Sequence, residues 1–119
     1  MAPSGGFEFI IGGKRDDNLG VATIMVGMGG VYVEVFKDVS FGVIPITRFG
    51  AEAVIGRTKV SRILDGVRGQ PPLDREKLID ALSRVSALFT DIPQIHELDI
   101  NPLIVYPSGA TVIDARIKL

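Results

Sequence analysis

Runs of branched and aromatic residues, separated by turn formers, dominate the first third of the chain and predict extended segments before any helix. Phe7 to Lys14, Val21 to Val26, Val31 to Asp38 and Phe41 to Ile44 have this composition and read as strands. The breaks between them are polar (Arg15, Asp16, Asp17, Asn18), glycine-rich (Gly27, Met28, Gly29, Gly30) or very short (Val39, Ser40). Short breaks favour antiparallel neighbours, because a parallel return needs about a dozen connecting residues.

The pattern then changes period. Thr47 follows Pro45 as a helix cap, and Ala51, Ala53, Val54, Ile55, Val60, Ile63 and Leu64 trace a rough helical stripe. Gly50 and Gly56 each weaken that stripe by ~1 kcal/mol relative to alanine, which predicts a broken or bent helix. Gly66 to Pro72 reads as a loop. The clearest helix runs from Asp74 to Phe89: Asp74 caps it, Glu76 lies in its first turn, and Leu78, Leu82, Val85 and Leu88 or Phe89 share one apolar face. Pro93 ends it. Ile95 to Val105, interrupted by Pro102, and Ala110 to Ile117 follow as two strands joined around Pro107, Ser108 and Gly109. The sum is an α+β chain: an antiparallel or mixed sheet of about six strands backed by helices on one face. Met1 to Gly5 reads as an unstructured remnant, and residues 6–119 as one unit without repeats or linkers.

Composition narrows the function classes. A chain of 119 residues with 46% hydrophobic and 23% charged content fits a single folded domain. Its net charge of −1 supplies no basic face for nucleic acid. No apolar run reaches the ~18 residues of a membrane helix, and the first residues lack the basic and apolar regions of an export signal. The absence of cysteine excludes disulfides, thiolate zinc sites and cysteine nucleophiles, and fits a cytoplasmic location. The single histidine, His96, rules out a two-histidine metal site.

Candidate chemistry concentrates near the end of the chain. In a strand, Glu97, Asp99 and Asn101 share one face while His96, Leu98 and Ile100 share the other. The apolar face belongs to the core, which crowds two carboxylates and an amide on the opposite side. With Ser108 and Gly109 as a two-residue turn, Pro107 faces Ala110, Leu103 faces Asp114 and Asn101 faces Arg116. Asn101 and Asp114 are then diagonal neighbours ~7–8 Å apart, within reach of their side chains. A hard cation such as Mg²⁺, ~2.1 Å from each oxygen, would fit between them. A three-residue turn would put Asp114 on the other face. Two readings stand at this point: a divalent-cation site, or a solvated face whose charges pair with Arg116 and Lys118.

Glu97-Leu98-Asp99-Ile100-Asn101-Pro102-Leu103-Ile104-Val105 and Asp114-Ala115-Arg116-Ile117 resemble the carboxy-terminal end of an ATP-grasp domain. The resemblance is to the nucleoside-diphosphate-forming acyl-CoA synthetases, which include ADP-forming acetyl-CoA synthetase and are related to succinyl-CoA synthetase beta. Phe7 to Asp16, Gly27 to Val35 with Lys37-Asp38, and Val67 to Pro72 are similar to further motifs in the family's order. The similarity runs from about Gly6 to Leu119.

The resemblance implies the carboxy-terminal lobe of such a domain, over residues 6–119. Its enzyme makes ATP from ADP and phosphate by cleaving an acyl-CoA thioester, or runs the reverse, through an acyl phosphate and a phosphohistidine. It implies Mg²⁺ and ATP or ADP as cofactors. By position, Asn101 and Asp114 resemble the Mg²⁺ ligands of succinyl-CoA synthetase. Asp99 stands where that family has a glutamate working near the phosphohistidine, and its side chain is shorter.

The same resemblance implies two departures. The chain is expected to begin after the family's hinge and nucleotide-binding first lobe, and the family's phospho-acceptor histidine is expected on another domain or subunit rather than at His96. The expected partners are therefore the first ATP-grasp lobe and a CoA-ligase alpha domain or subunit carrying the phosphohistidine. The lobe alone is expected to be inactive, and core exposed toward the missing lobe would favour a homodimer. The alternative is a non-catalytic regulatory or assembly module, such as the synthetase-like part fused to protein acetyltransferases.

Gly29 and Gly30 read either as a nest offering N–H groups to a nucleotide phosphate or as a plain turn. Arg68 reads either as a phosphate- or carboxylate-binding guanidinium or as a surface arginine. Glu34 and Tyr32 share a strand face, with Glu34 directed at the metal site or paired with a lysine. Glu8 reads as structural, and His96 as packed or partly buried beside Leu98 and Ile100.

Overall fold

The computed structural model describes residues 5–29, 38–59, 61–66 and 69–119. Its elements are β1 (Phe7–Asp16), β2 (Val21–Met28), β3 (Val39–Ile44), α1 (Arg48–Gly56), α2 (Ser61–Leu64), α3 (Arg75–Asp91), β4 (Glu97–Val105), β5 (Ala110–Val112) and β6 (Ala115–Lys118). Among the described residues the six strands make one sheet in the order β3-β2-β1-β4, with β5 and β6 following each other along the far edge of β4. Every pairing is antiparallel. The expected α+β architecture is therefore observed. The strand expected over Val31 to Asp38 lies outside the described residues except for Asp38, and the segment Met1 to Gly5, expected to be unstructured, does so except for Gly5.

One sheet face and the helices enclose the core. Phe9 and Ile11 of β1, Ala22, Ile24 and Val26 of β2, and Leu98, Ile100, Leu103 and Val105 of β4 meet α1 and α3 there. The α3 stripe is as its period predicts: Leu78, Leu82, Val85 and Phe89 are all buried. Leu88 points outward, so Phe89 completes the stripe. Ser86, the one polar residue on that face, is satisfied because its Oγ accepts the Ile46 N–H at 2.9 Å. Arg48 of α1 pairs with Glu76 of α3, which raises the Arg48 pKa above its usual value through hydrogen bonding and opposite charge.

The helical stretch after Pro45 is interrupted as expected, but the break follows Gly56 and not Gly50. Gly50 sits in the first turn of α1, where its N–H donates to the capping Thr47 Oγ1 at 3.0 Å. Asp38 secures the chain beyond the break by accepting the Lys59 N–H at 2.8 Å.

β1 is longer than its sequence suggests. Arg15, read as part of a polar break, continues the strand because its side chain reaches the end of α3. Its guanidinium donates to Phe89 O at 2.6 Å and Ile95 O at 3.1 Å, and lies 5.3 Å from the Phe89 ring centre. A cation there complements the negative end of the helix.

Candidate functional site

Along β4, Leu98 and Ile100 are buried while Glu97, Asp99 and Asn101 are exposed, as the alternation requires. The strand then changes phase. Phe9 pairs with Leu103 and Ile11 with Ile100, so Asn101 and Pro102 together oppose Ile10, which makes a β-bulge. After the bulge Leu103 and Val105 face the core again. The bulge thus keeps both halves of the strand packed while leaving Asn101 on the open side.

The returning chain pairs in a different register from the expected one. Val105 faces Ala110, Leu103 faces Val112, Ile100 faces Ala115 and Asp99 faces Arg116. The turn tip is Pro107-Ser108, closed by the Tyr106 N–H donating to Gly109 O at 2.9 Å. This corrects the Ser108-Gly109 tip. The residue closing a two-residue hairpin must donate its N–H, and Pro107 has none to give. Moving the tip by one residue moves the register by two, so every side chain keeps its face.

Asn101 now lies directly across from Asp114, with its N–H donating to Asp114 O at 3.0 Å. Directly opposed residues are about 5 Å apart at Cα, closer than the diagonal arrangement expected from sequence. Asp114 Oδ2 lies 3.9 Å from Nε of Arg116, the residue facing Asp99. Asp99, Asn101, Asp114 and Arg116 are therefore gathered on the open side of the sheet.

That side carries two rows of cross-strand neighbours. One runs Phe41, Met25, Gly12, Asp99, Arg116; the other runs Val43, Thr23, Lys14, Glu97, Lys118. They border a groove of about 600 Å³, apolar toward β3 and charged toward β6. Gly12 is its floor: a Cβ there would meet only Met25 Cε at 3.2 Å and Leu98 O at 3.9 Å. Gly12, Met25 and Phe41 are missed by reading residues along the chain, because only the strand register aligns them with Asp99.

Lys14 and Glu97 approach to 4.0 Å, and both are well exposed, as are Arg116 and Asp114. Exposed pairs of this kind contribute roughly 0–1 kcal/mol, so a divalent cation can displace them. Among the described residues no three His, Asp or Glu side chains are grouped to hold a metal. The donors present are the Asn101 amide and the Asp114 carboxylate, both hard oxygens. This fits Mg²⁺, which is commonly held by one or two protein oxygens with phosphates and water completing its shell.

The other sequence candidates separate from this group. The Gly29 N–H donates to Glu8 O at 2.9 Å, and a Cβ on Gly29 would fall 3.1 Å from the Glu8 carbonyl carbon. Glycine is needed there for close approach to β1, and its N–H, expected to meet a phosphate, is committed to the sheet. Gly30, Tyr32, Glu34 and Arg68 lie outside the described residues. Glu8 is exposed. His96 precedes β4, partly buried, with Nδ1 3.4 Å from Asp17 Oδ1.

A family model described as the ATP-grasp domain matches residues 1–119. The chain belongs to this family. Over 115 residues this ATP-grasp chain is 50% identical to an ADP-forming acetate–CoA ligase I of Archaeoglobus fulgidus, covering 97% of the chain and 17% of that protein. It is 44% identical to the beta subunit of the ADP-forming acetate–CoA ligase I of Pyrococcus furiosus, covering 96% of the chain and 49% of the subunit. Among solved structures it is similar to an acetyl-coenzyme A synthetase 1 of Ca. Korarchaeum cryptofilum, at 46% identity and a TM-score of 0.91. That match covers 100% of this chain and 55% of that one. The Korarchaeum protein is in complex with coenzyme A and Mg-AMPPCP, its phosphohistidine segment pointing towards the nucleotide binding site. The ATP-grasp chain thus spans about half the Pyrococcus beta subunit and a sixth of the Archaeoglobus relative. Among its described residues no helix is long and apolar enough to cross a membrane.

Proposed function

We propose that this chain is the Mg-nucleotide lobe of an ADP-forming acyl-CoA synthetase, acting with a first ATP-grasp lobe and a CoA-ligase part that carries the phosphohistidine. The overall reaction converts acyl-CoA, ADP and phosphate into the free acid, ATP and CoA. The observation that supports this reading is the direct opposition of Asn101 and Asp114, beside Asp99, on the open side of the sheet.

In this reading the Asn101 amide oxygen and the Asp114 carboxylate hold Mg²⁺. When bound, the cation neutralises charge on the transferring phosphoryl group. Asp99 accepts a hydrogen bond from the ring nitrogen that does not carry the phosphoryl group and so orients the imidazole. Its short side chain keeps this contact close to the sheet. Arg116, which faces Asp99, pairs with Asp114 when the cation is absent. The groove beside them takes the nucleotide, with Gly12 leaving its floor open.

The test is Asp114→Ala in the full-length synthetase that contains this chain. Acyl-CoA-dependent ATP formation should fall by more than about 100-fold, since removal even of a ligand's supporting partner costs 10–100-fold. The melting temperature should hold, because the side chain is exposed. Unchanged turnover would remove the metal assignment.

A further inference from the structure

We infer that Asp74 is the positioning residue that keeps Asn101 and Asp114 opposed. The value of that opposition for cation binding rests on the function proposed above; the positioning itself does not. Every residue from Thr111 to Leu119 is exposed, so burial does little to fix where this segment pairs along β4. Strands that lack a buried face are the ones whose register slips. Something outside the segment must hold it.

The hairpin tip is where it is held. In a free two-residue hairpin the Gly109 N–H would return to Tyr106 O. Here the Gly109 N–H donates instead to Asp74 Oδ2 at 2.7 Å, and Tyr106 O accepts the Asp74 N–H at 2.7 Å. The other carboxylate oxygen, Oδ1, accepts the Lys77 N–H at 3.2 Å and caps α3. One side chain therefore fastens the tip to a helix anchored in the core by Leu78 and Leu82.

Capping alone would be served by serine or asparagine. Each has one acceptor oxygen and cannot fill both positions, whereas the carboxylate meets Lys77 with Oδ1 and Gly109 with Oδ2. From the tip, the pairs Val105–Ala110, Ile104–Thr111 and Leu103–Val112 carry the alignment to Asn101. That distance is about 17 Å at ~3.3 Å per residue.

Asp74→Ser and Asp74→Asn in this chain retain the cap and release the tip. Amide hydrogen exchange by NMR should quicken tenfold or more at Asn101, with loss of the cross-strand contact between Asn101 and Asp114. Exchange at Leu82 and Val85 in α3 should stay as in the parent. Unchanged exchange at Asn101 in both variants would overturn the inference. So would an equal rise at Leu82 and Val85, since Asp74 would then serve overall stability only. Mn²⁺ line broadening in the parent reports the cation reading separately. No broadening at Asn101 or Asp114 counts against that reading, while the exchange result still decides the role of Asp74.

Discussion

Gly13 shows how one missing side chain can determine packing. A Cβ at this position would lie 2.4 Å from Cε1 of Phe89, a ring wedged between β1 and α3 with Arg15 against it. The ring is buried and Arg15 lies against it, held by hydrogen bonds to Phe89 O and Ile95 O, so the site is closed. Gly13→Ala should therefore lower stability by about 1–3 kcal/mol in chemical denaturation, the usual cost of overpacking a closed site. Gly12, its neighbour, faces the other side and meets only a flexible Met25 end. The sequence presents these two glycines as one motif. Strand alternation explains why one governs the core and the other the groove.

At the scale of elements, α3 joins the core to the candidate site. Its apolar stripe was legible because a 3.6-residue period is set by local geometry alone, and Asp74 was legible as a cap for the same reason. Leu82 is fully buried in that stripe, so Leu82→Ala should cost about 2–5 kcal/mol, read as a lowered denaturation midpoint. The second task of Asp74, gripping the hairpin tip, was not legible, since Gly109 is 35 residues away. The β4 bulge was hidden for a similar reason. Pro102 marks an interruption in the letters, but which residue it opposes depends on β1. The tip position, by contrast, was open to reading from Pro107, whose missing N–H excludes it as the closing donor.

Across the whole molecule the sheet has two unlike faces. One is sealed by α1 and α3; the other presents the groove, with exposed Phe41 at one end and the Asp99–Arg116 pair at the other. The nucleotide lobe proposed above would use this asymmetry, with a packed layer carrying an open groove. Gly12→Leu should leave the melting temperature nearly unchanged and fill the groove floor. In the full-length synthetase it should raise the KM for ADP at least about tenfold, roughly 1.4 kcal/mol of lost binding. An unaltered KM would place the nucleotide elsewhere.

The order of strands and helices, the core stripe of α3 and the exposed face of Glu97, Asp99 and Asn101 were set by local periodicity, which any stretch of chain expresses through its own backbone geometry. The opposition of Asn101 to Asp114, the bulge that redirects β4 and the alignment of Phe41, Met25 and Gly12 with Asp99 were decided only by the tertiary structure. These features depend on which residues of distant strands meet, and that is fixed by contacts such as those of Asp74 with Gly109 and Tyr106, which only the folded chain brings together.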